Sequence, residues 1–576
     1  MDYAVVVLFG VLVVVAASAL APRLGVATPL ILVVIGIACS LLPGFPPIEV
    51  EPELILALVL PPILYAAAVN VPLVDFRRNL KPIAGLSILL VIVSAIGSGL
   101  LFYWLLPGLG LAAAIALGAV ISPTDAVAAT SLGKRLGLPP RLVTVMEGEG
   151  LVNDASALVL LRSAIAATAG VVSLWEIVGN FAYAVAVAVV VGVAIGYATV
   201  WVRSKFDNSV LNTTVSFAVP FLAYLPAEKL NASGVLAVVA AGLVTGHQSA
   251  KYFTAQDRIS ERINWRTIQF VLENGVFLLI GLELKALVED VTEKHLGVLP
   301  AIGMGLAAAG LLLVIRVAFV VPLIGVLRHD QRRAATIGQR LDVAMERLKR
   351  ADSSERAGGR TMSDNQKARV HRFFTRKRAD YKSLAAEGLG WRGGAVLAWS
   401  GMRGVVTLAA AQSLPHSIPY RSQLVLIAFT VAIVTVLVQG ATLPFLITRL
   451  HIVGTDAVTD RAELADLLDE ISSVGLATLD NPGLIQDNGE QFDPAVIERV
   501  RAEGKFLTES IMELPEAESA GPHRQSRALR LAMLRAERAA LLDARSTGSH
   551  TSRALGRAQA MLDLEESRLA QLDEEP

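Results

Sequence analysis

Glu147, Glu149, Asn153 and Asp154 stand in one stretch, Met146-Glu147-Gly148-Glu149-Gly150-Leu151-Val152-Asn153-Asp154-Ala155-Ser156-Ala157, which runs on into apolar residues as far as Leu161. If the segment from Leu142 to Thr168 crosses a bilayer, Glu149 and Asp154 lie within the hydrocarbon, where an unpaired carboxylate costs at least ~2.5–3.5 kcal/mol. Carboxylates so placed usually face a wet cavity and bind something. The plainer readings are an acidic end of a cytosolic helix, or a carboxylate that only ties helices together. On a helix Glu149 and Asn153 are four apart and share a face, whereas Asn153 and Asp154 point about 100° apart. One of the two then meets a neighbouring helix while the other looks into the cavity. A single carboxylate reached by water holds a proton or a small cation, not both comfortably. That competition is the simplest chemistry for exchange.

Three further places could contribute. Ile121-Ser122-Pro123-Thr124-Asp125 interrupts an apolar run, and Pro123 neither donates a backbone hydrogen bond nor fits the preceding turn. An opened helix frees carbonyls, tolerated in lipid only where protein or water satisfies them. Thr124 adds a hydroxyl and a carbonyl and Asp125 a charge, the oxygen donors a hard cation prefers. Pro61-Pro62 is expected to break another run in the same way. Glu273, in Glu273-Asn274-Gly275-Val276-Phe277, and Arg403, in Trp399-Ser400-Gly401-Met402-Arg403-Gly404, also fall inside apolar runs. Arg403 is too deep to snorkel and needs a carboxylate or carbonyls: Glu149 or the opened helix at Pro123. It stays charged, so it does not carry an exchanged proton. Arg162 and Arg316 are less informative and pair internally or lie nearer a cavity.

The elements that must position these residues are membrane spans. The chain has 576 residues, 54% of them hydrophobic and 18% charged, with a mean hydropathy of +0.56. Spans are expected near 3–20, 25–42, 53–70, 82–105, 110–132, 143–168, 174–202, 210–226, 231–246, 268–286, 298–327, 394–414 and 423–448. The first reads as a retained span rather than a cleaved leader. Connections on one side carry Arg23, Arg77, Arg78, Lys81, Lys134, Arg135, Arg141, Arg203, Lys205, Lys251, Arg258, Arg262 and Arg266; the other side has Lys229, Lys285, Lys294 and Arg421. This bias puts the N-terminus outside, and the segments 328–391 and 451–576 in the cytoplasm. The domain reading is therefore 1–327 and 392–450 in the membrane, a basic insert at 328–391, and a tail at 451–576 with helix-period segments at 461–478 and 524–572. The insert includes an amphipathic run, Ile337 to Leu348, suited to anionic lipid or to the tail, or else is a solvated linker. The formal charge of zero averages unlike parts and points to no nucleic-acid partner. The lone Cys39 excludes an intramolecular disulfide and a thiolate cluster. No nucleotide-binding glycine loop or metal-ligand cluster stands out in the tail, and the reading is transport rather than enzymatic turnover.

Taken in order, Ser122-Pro123-Thr124-Asp125-Ala126-Val127-Ala128, Glu149-Gly150-Leu151-Val152-Asn153-Asp154, Phe277-Leu278-Leu279-Ile280-Gly281-Leu282 and Gly401-Met402-Arg403-Gly404 resemble the sodium/proton exchanger branch of the monovalent cation/proton antiporters. The resemblance covers roughly residues 1–450. It implies an all-α polytopic membrane protein of about thirteen transmembrane helices, with inverted repeats, crossed discontinuous helices and a homodimer, to which this chain adds a helical cytoplasmic tail. It implies exchange of Na+ or Li+ for H+ by alternating access, with no cofactor beyond the transported ions. Asp154 takes the role of the ion- and proton-binding carboxylate and Asn153 that of its partner. Thr124, Asp125 and Glu149 line or brace the site, with Na+ at Asp154 and Thr124. Arg403 holds the crossing by charge, and Glu273 is a possible support. The electrogenic branch has an aspartate in place of Asn153, so Asn153 suggests electroneutral one-for-one exchange. Relatives often have a serine where this chain has Gly150 and a proline where it has Ala126, which leaves the ligand set and the choice between Na+ and K+ open. A K+/H+ antiporter is the alternative. A cation channel would typically show a filter or charge ring from symmetric subunits, and a receptor would not need these buried polar groups together.

Overall fold

The computed structural model describes residues 2–24, 26–42, 51–169, 174–293, 297–354, 364–386, 389–452, 457–480, 491–502, 522–547 and 552–571. Lys294 lies outside them. The described chain is helical throughout: α1 Asp2–Leu24, α2 Thr28–Ser40, α3 Pro52–Asn70, α4 Leu73–Arg78, α5 Leu80–Leu105, α6 Leu111–Ile121, α7 Val127–Arg135, α8 Pro140–Ala169, α9 Leu174–Arg203 and α10 Ser209–Lys229. There follow α11 Gly234–Tyr252, α12 Ala255–Glu293, α13 Val298–Ser354, α14 Asp364–Ala386, α15 Trp391–Trp399, α16 Val405–Gln412 and α17 Arg421–Arg449. Each expected span falls on one of these helices or on an interrupted pair. Among the described residues seven helices are long and apolar enough to cross a membrane by length and composition, and three shorter ones are also apolar.

Two interruptions have similar surroundings. α6 and α7 are separated by Ser122 to Ala126, and α15 and α16 by Ser400 to Gly404. Beside the first runs α8, beside the second α17, each an unbroken helix. The expected break at Pro61-Pro62 is absent. α3 passes through both prolines because a π-helical turn at Ile55–Val59 precedes them, with Leu60 N–H bonding back to Ile55 O. The wider turn leaves the prolines in the first turn of the next helical stretch, where a missing N–H costs least.

Buried apolar side chains form two clusters. The larger joins α1, α2, the C-terminal half of α12, most of α5, α6, α13 and α17. The smaller joins α3, α4, α11, parts of α9 and α10, and Trp265 near the start of α12. α8 contributes to both, Met146 and Leu161 to the first, Leu151 and Ala155 to the second. Water gives no drive to bring helices together in lipid, so close backbone approach matters more than side-chain area. α2 and α12 meet at Gly36 and Gly281, where a Cβ on Gly36 would stand 2.5 Å from Leu278 O.

Arg203, expected among the cytoplasmic loop charges, is buried at the end of α9. It grips Glu261 with two hydrogen bonds of 2.8 and 2.9 Å, donates to Asn212 Oδ1 at 2.5 Å, and lies 4.2 Å from the Phe253 ring centre. The insert also differs from a linker. α13 runs unbroken from Val298 to Ser354, and α14 packs back along it. Residues 355–363 of the insert lie outside the described residues.

Residues Gly454–Pro576 form a separate compact unit from Met1–Val453. Within it are α18 Ala457–Leu479, α19 over 494–502, α20 Pro522–Thr547 and α21 Ser552–Gln571, the last two paired and joined by Arg530–Glu565 and Arg538–Glu566 ion pairs. The expected run at 524–572 is thus two helices, and residues 548–551 lie outside the described ones.

Replacing Gly281 by Leu drives a side chain into the backbone of α2. The expected result is a thermal midpoint in detergent several degrees below that of the native chain, whereas Gly303→Ala, which meets nothing within 4 Å, leaves it unchanged.

Candidate ion-binding site at the helix crossing

Each interruption exposes backbone polar groups inside the protein, and the two are satisfied by one another. The N–H of Asp125 donates to Met402 O at 2.7 Å, which joins the two openings directly. This approach requires Gly404, since a Cβ there would stand 2.1 Å from Asp125 Oδ2. Arg403 fills the remaining need. Its Nε donates to Ile121 O at 3.1 Å, its Nη1 to Gly401 O, and its backbone N–H to Thr435 Oγ1 on α17 at 3.1 Å. The carbonyl ends of broken helices carry partial negative charge, so a buried guanidinium is stable there. Of the partners expected for Arg403, the opened helix is the one observed.

Glu149 is paired instead with Arg316 of α13, the arginine whose sequence context said least. The contact is bidentate and buried, with Nη1 to Oε1 at 2.5 Å and Nη2 to Oε2 at 2.9 Å, and Arg316 Nε reaches Leu397 O on α15 at 3.0 Å. Thr124 continues the chain of contacts: its hydroxyl donates to Glu149 Oε1 at 2.8 Å. Asn153 Nδ2 then donates to Thr124 O at 2.7 Å and to Thr124 Oγ1 at 3.0 Å. Arg316, Glu149, Thr124 and Asn153 therefore form one network that locks α8 to the first interruption. Thr124 and Glu149 hold each other in this conformation, and the Thr124 hydroxyl, which donates to Glu149 and accepts from Asn153, keeps one lone pair beyond these contacts.

Asp154, one residue on from Asn153, turns away from this network as the helical spacing requires. It is half-buried, its carboxylate makes no hydrogen bond with any described residue, and it lies within electrostatic reach of Asp125. Glu273 on α12 is buried, accepts from Gln269 Nε2 at 2.7 Å, and acts electrostatically on Asp125 as well. Asn153 Oδ1 is buried with no hydrogen-bond partner. Among the described residues no group of three His, Cys, Asp or Glu side chains could chelate a metal ion. The arrangement suits a weakly held monovalent ion or a proton, with one open carboxylate and neighbouring oxygens. Gly150 and Ala126, the two departures from the resembling pattern, are in contact: a Cβ on Gly150 would lie 3.0 Å from Ala126 Cβ. Arg162, by contrast, pairs with Glu228 at 2.7 Å on the protein surface, away from the crossing.

Two interrupted helices crossing beside an open carboxylate in a polytopic helical protein are the architecture of a membrane carrier. The chain matches the family described as "Sodium/hydrogen exchanger, transmembrane" over residues 9–350 and 368–449, and it belongs to that family. It is 28% identical to an uncharacterised Na+/H+ exchanger of Mycobacterium tuberculosis, over 98% of this chain and 96% of the relative. It is 33% identical to a sodium, potassium, lithium and rubidium/H+ antiporter of Bacillus pumilus, over 44% of this chain and 39% of the relative. Its fold matches the sodium proton antiporter of Methanocaldococcus jannaschii with a TM-score of 0.54 and 15% identity, covering 78% of this chain and 99% of the other.

Replacing Arg316 by Ala leaves Glu149 buried without its counter-charge. The expected loss is about 3–5 kcal/mol of stability, read as a lower midpoint in thermal unfolding, and the paired change Arg316→Met with Glu149→Gln should recover a substantial part of it.

Proposed function

We propose that this protein exchanges Na+ for H+ across the cytoplasmic membrane, with the two ions competing for Asp154. The observation that carries the reading is the contrast at the crossing: Arg316, Glu149, Thr124, Asn153 and Arg403 are engaged with one another or with backbone, while the half-buried Asp154 carboxylate makes no hydrogen bond with any described residue. A cation sheds part of its hydration against Asp154, with Asn153 Oδ1 as a neutral oxygen beside it. Asp125 and Glu273 add negative charge nearby and favour either occupant. Thr124 and Glu149 hold α8 in register, and Arg403 keeps the helix ends together.

Thirteen crossings, an outside N-terminus, cytoplasmic insert and tail, and a homodimeric assembly complete the reading, supported by the distribution of basic residues and by family membership. The core moves against the rest of the protein to expose Asp154 to each side in turn. Asp154 returns protonated when the cation has left, so each cycle moves one cation against one proton. With Asn153 neutral, the residue beside Asp154 does not titrate, and exchange is electroneutral. K+ remains the alternative substrate, favoured by the name of the Bacillus relative, which includes potassium.

The test is cation-driven proton movement in proteoliposomes with Na+, Li+ and K+ offered separately. Native protein should respond to Na+ regardless of imposed potential, and Asp154→Asn should be folded and silent. Full activity in that variant refutes the site. An equal response to K+ moves the assignment to the alternative. Competition predicts further that lowering the pH raises the apparent KM for Na+ and leaves the maximal rate, measured at saturating Na+, unchanged. A pH-independent KM would show that the two ions use separate sites.

A further inference from the structure

The cytoplasmic insert is built as a helical hairpin and attached at defined points. Gln331 Nε2 donates to Ala385 O at 2.9 Å, and Arg378 pairs with Asp342, so α13 and α14 hold each other. Two carboxylates of this net-basic insert reach out of the hairpin. Asp380 accepts from Arg78 Nε at 2.8 Å and from Arg77 Nη2 at 3.1 Å, and Asp330 takes Lys81 Nζ at 2.8 Å. Arg78 and Asp380 are 22% and 25% exposed, shielded enough for their charges to be felt, unlike Lys81 at 80%.

The place of these contacts matters more than their strength. Arg77 and Arg78 end α4, the short helix between α3 and α5. Tyr65 and Val71 before them and Phe76 beside them belong to the smaller apolar cluster. From Leu86 onward α5 belongs to the larger one, as does α13 from Ala301 to Leu327. The chain thus passes from the smaller cluster to the larger between Ile83 and Leu86, in the first turns of the helix that follows Arg78. Asp380 fastens the end of α4, just before that passage, to the cytoplasmic continuation of α13, the helix whose Arg316 holds Glu149.

We propose that Asp380 is a positioning residue for exchange: through Arg77 and Arg78 it makes the insert a strap that restrains movement between the two clusters and so slows re-orientation of the site. This rests on the exchange reading above. The strap touches neither Asp154 nor its network, so it governs the rate of re-orientation and not the affinity for the cation.

Initial rates of Na+-driven proton movement against Na+ concentration test this with the full-length chain in proteoliposomes. Asp380→Asn and Arg78→Asp are each expected to raise the maximal rate about threefold, the size a partly exposed ion pair supports, with the apparent KM for Na+ unchanged. The reversed pair, Arg78→Asp with Asp380→Arg, made in an Arg77→Ala background so that no like charge faces the new arginine, should restore the rate to that of Arg77→Ala alone. Raising choline chloride should speed the native protein and leave Asp380→Asn unaffected, and the native arm stands even if a variant does not fold. Native rates indifferent to salt, single variants at the native rate, a change in KM, or a reversed pair that fails to restore the rate would each overturn the strap while leaving exchange intact. Native protein that moves no protons with any cation would overturn the exchange reading, and the strap with it.

Discussion

Breaking a helix inside hydrocarbon leaves carbonyls and N–H groups that water cannot reach, and the rest of this structure follows from how they are matched. The match is mutual at one point, where Asp125 N–H meets Met402 O, and is completed by Arg403 on Ile121 O and Gly401 O. An arginine suits this because its planar fork serves several acceptors and stays charged when desolvated. That positive charge accumulates near a second one, Arg316, so a compensating carboxylate is needed. Glu149 supplies it.

Specific chemistry emerges by elimination from such matching. Glu149 is neutralised by Arg316, Thr124 is held between Glu149 and Asn153, and Asn153 uses both of its described hydrogen bonds to hold Thr124. On the exchange reading, Asp154 is the carboxylate whose counter-charge comes from outside the protein. A permanent partner would make the same residue structural, as Glu261 is made structural by Arg203. Two acidic residues in one stretch of helix, five apart, thereby acquire opposite tasks.

Much of this was legible in the residues themselves. The interruption at Pro123 follows from proline chemistry, and the divergent directions of Asn153 and Asp154 follow from helical geometry. The prolines at 61 and 62 misled because an α-helix has a second way to accommodate them: a π turn shifts the register of the bonds so that little is lost. Arg316 was obscure because its partner lies 167 residues away and nothing local distinguishes it from an arginine facing a cavity. Arg203 resembled a loop charge because it sits at a helix end, and only Glu261 in a later helix makes it internal. Long-range charge pairs carry no local pattern, whereas turns and helix periods do. The contact between Gly150 and Ala126 was equally hidden: two separate small residues in the sequence turn out to be one packing decision.

The seam between α2 and α12 has a mechanical meaning. At Gly36 and Gly281 backbone bears on backbone, with no flexible side chain between to flex or slide. Such a joint is stiff in shear, because any displacement drives carbonyl oxygen into Cα at once. The crossing is tied differently, by hydrogen bonds from Asp125 N–H to Met402 O and from Arg403 to Ile121 O and Thr435 Oγ1.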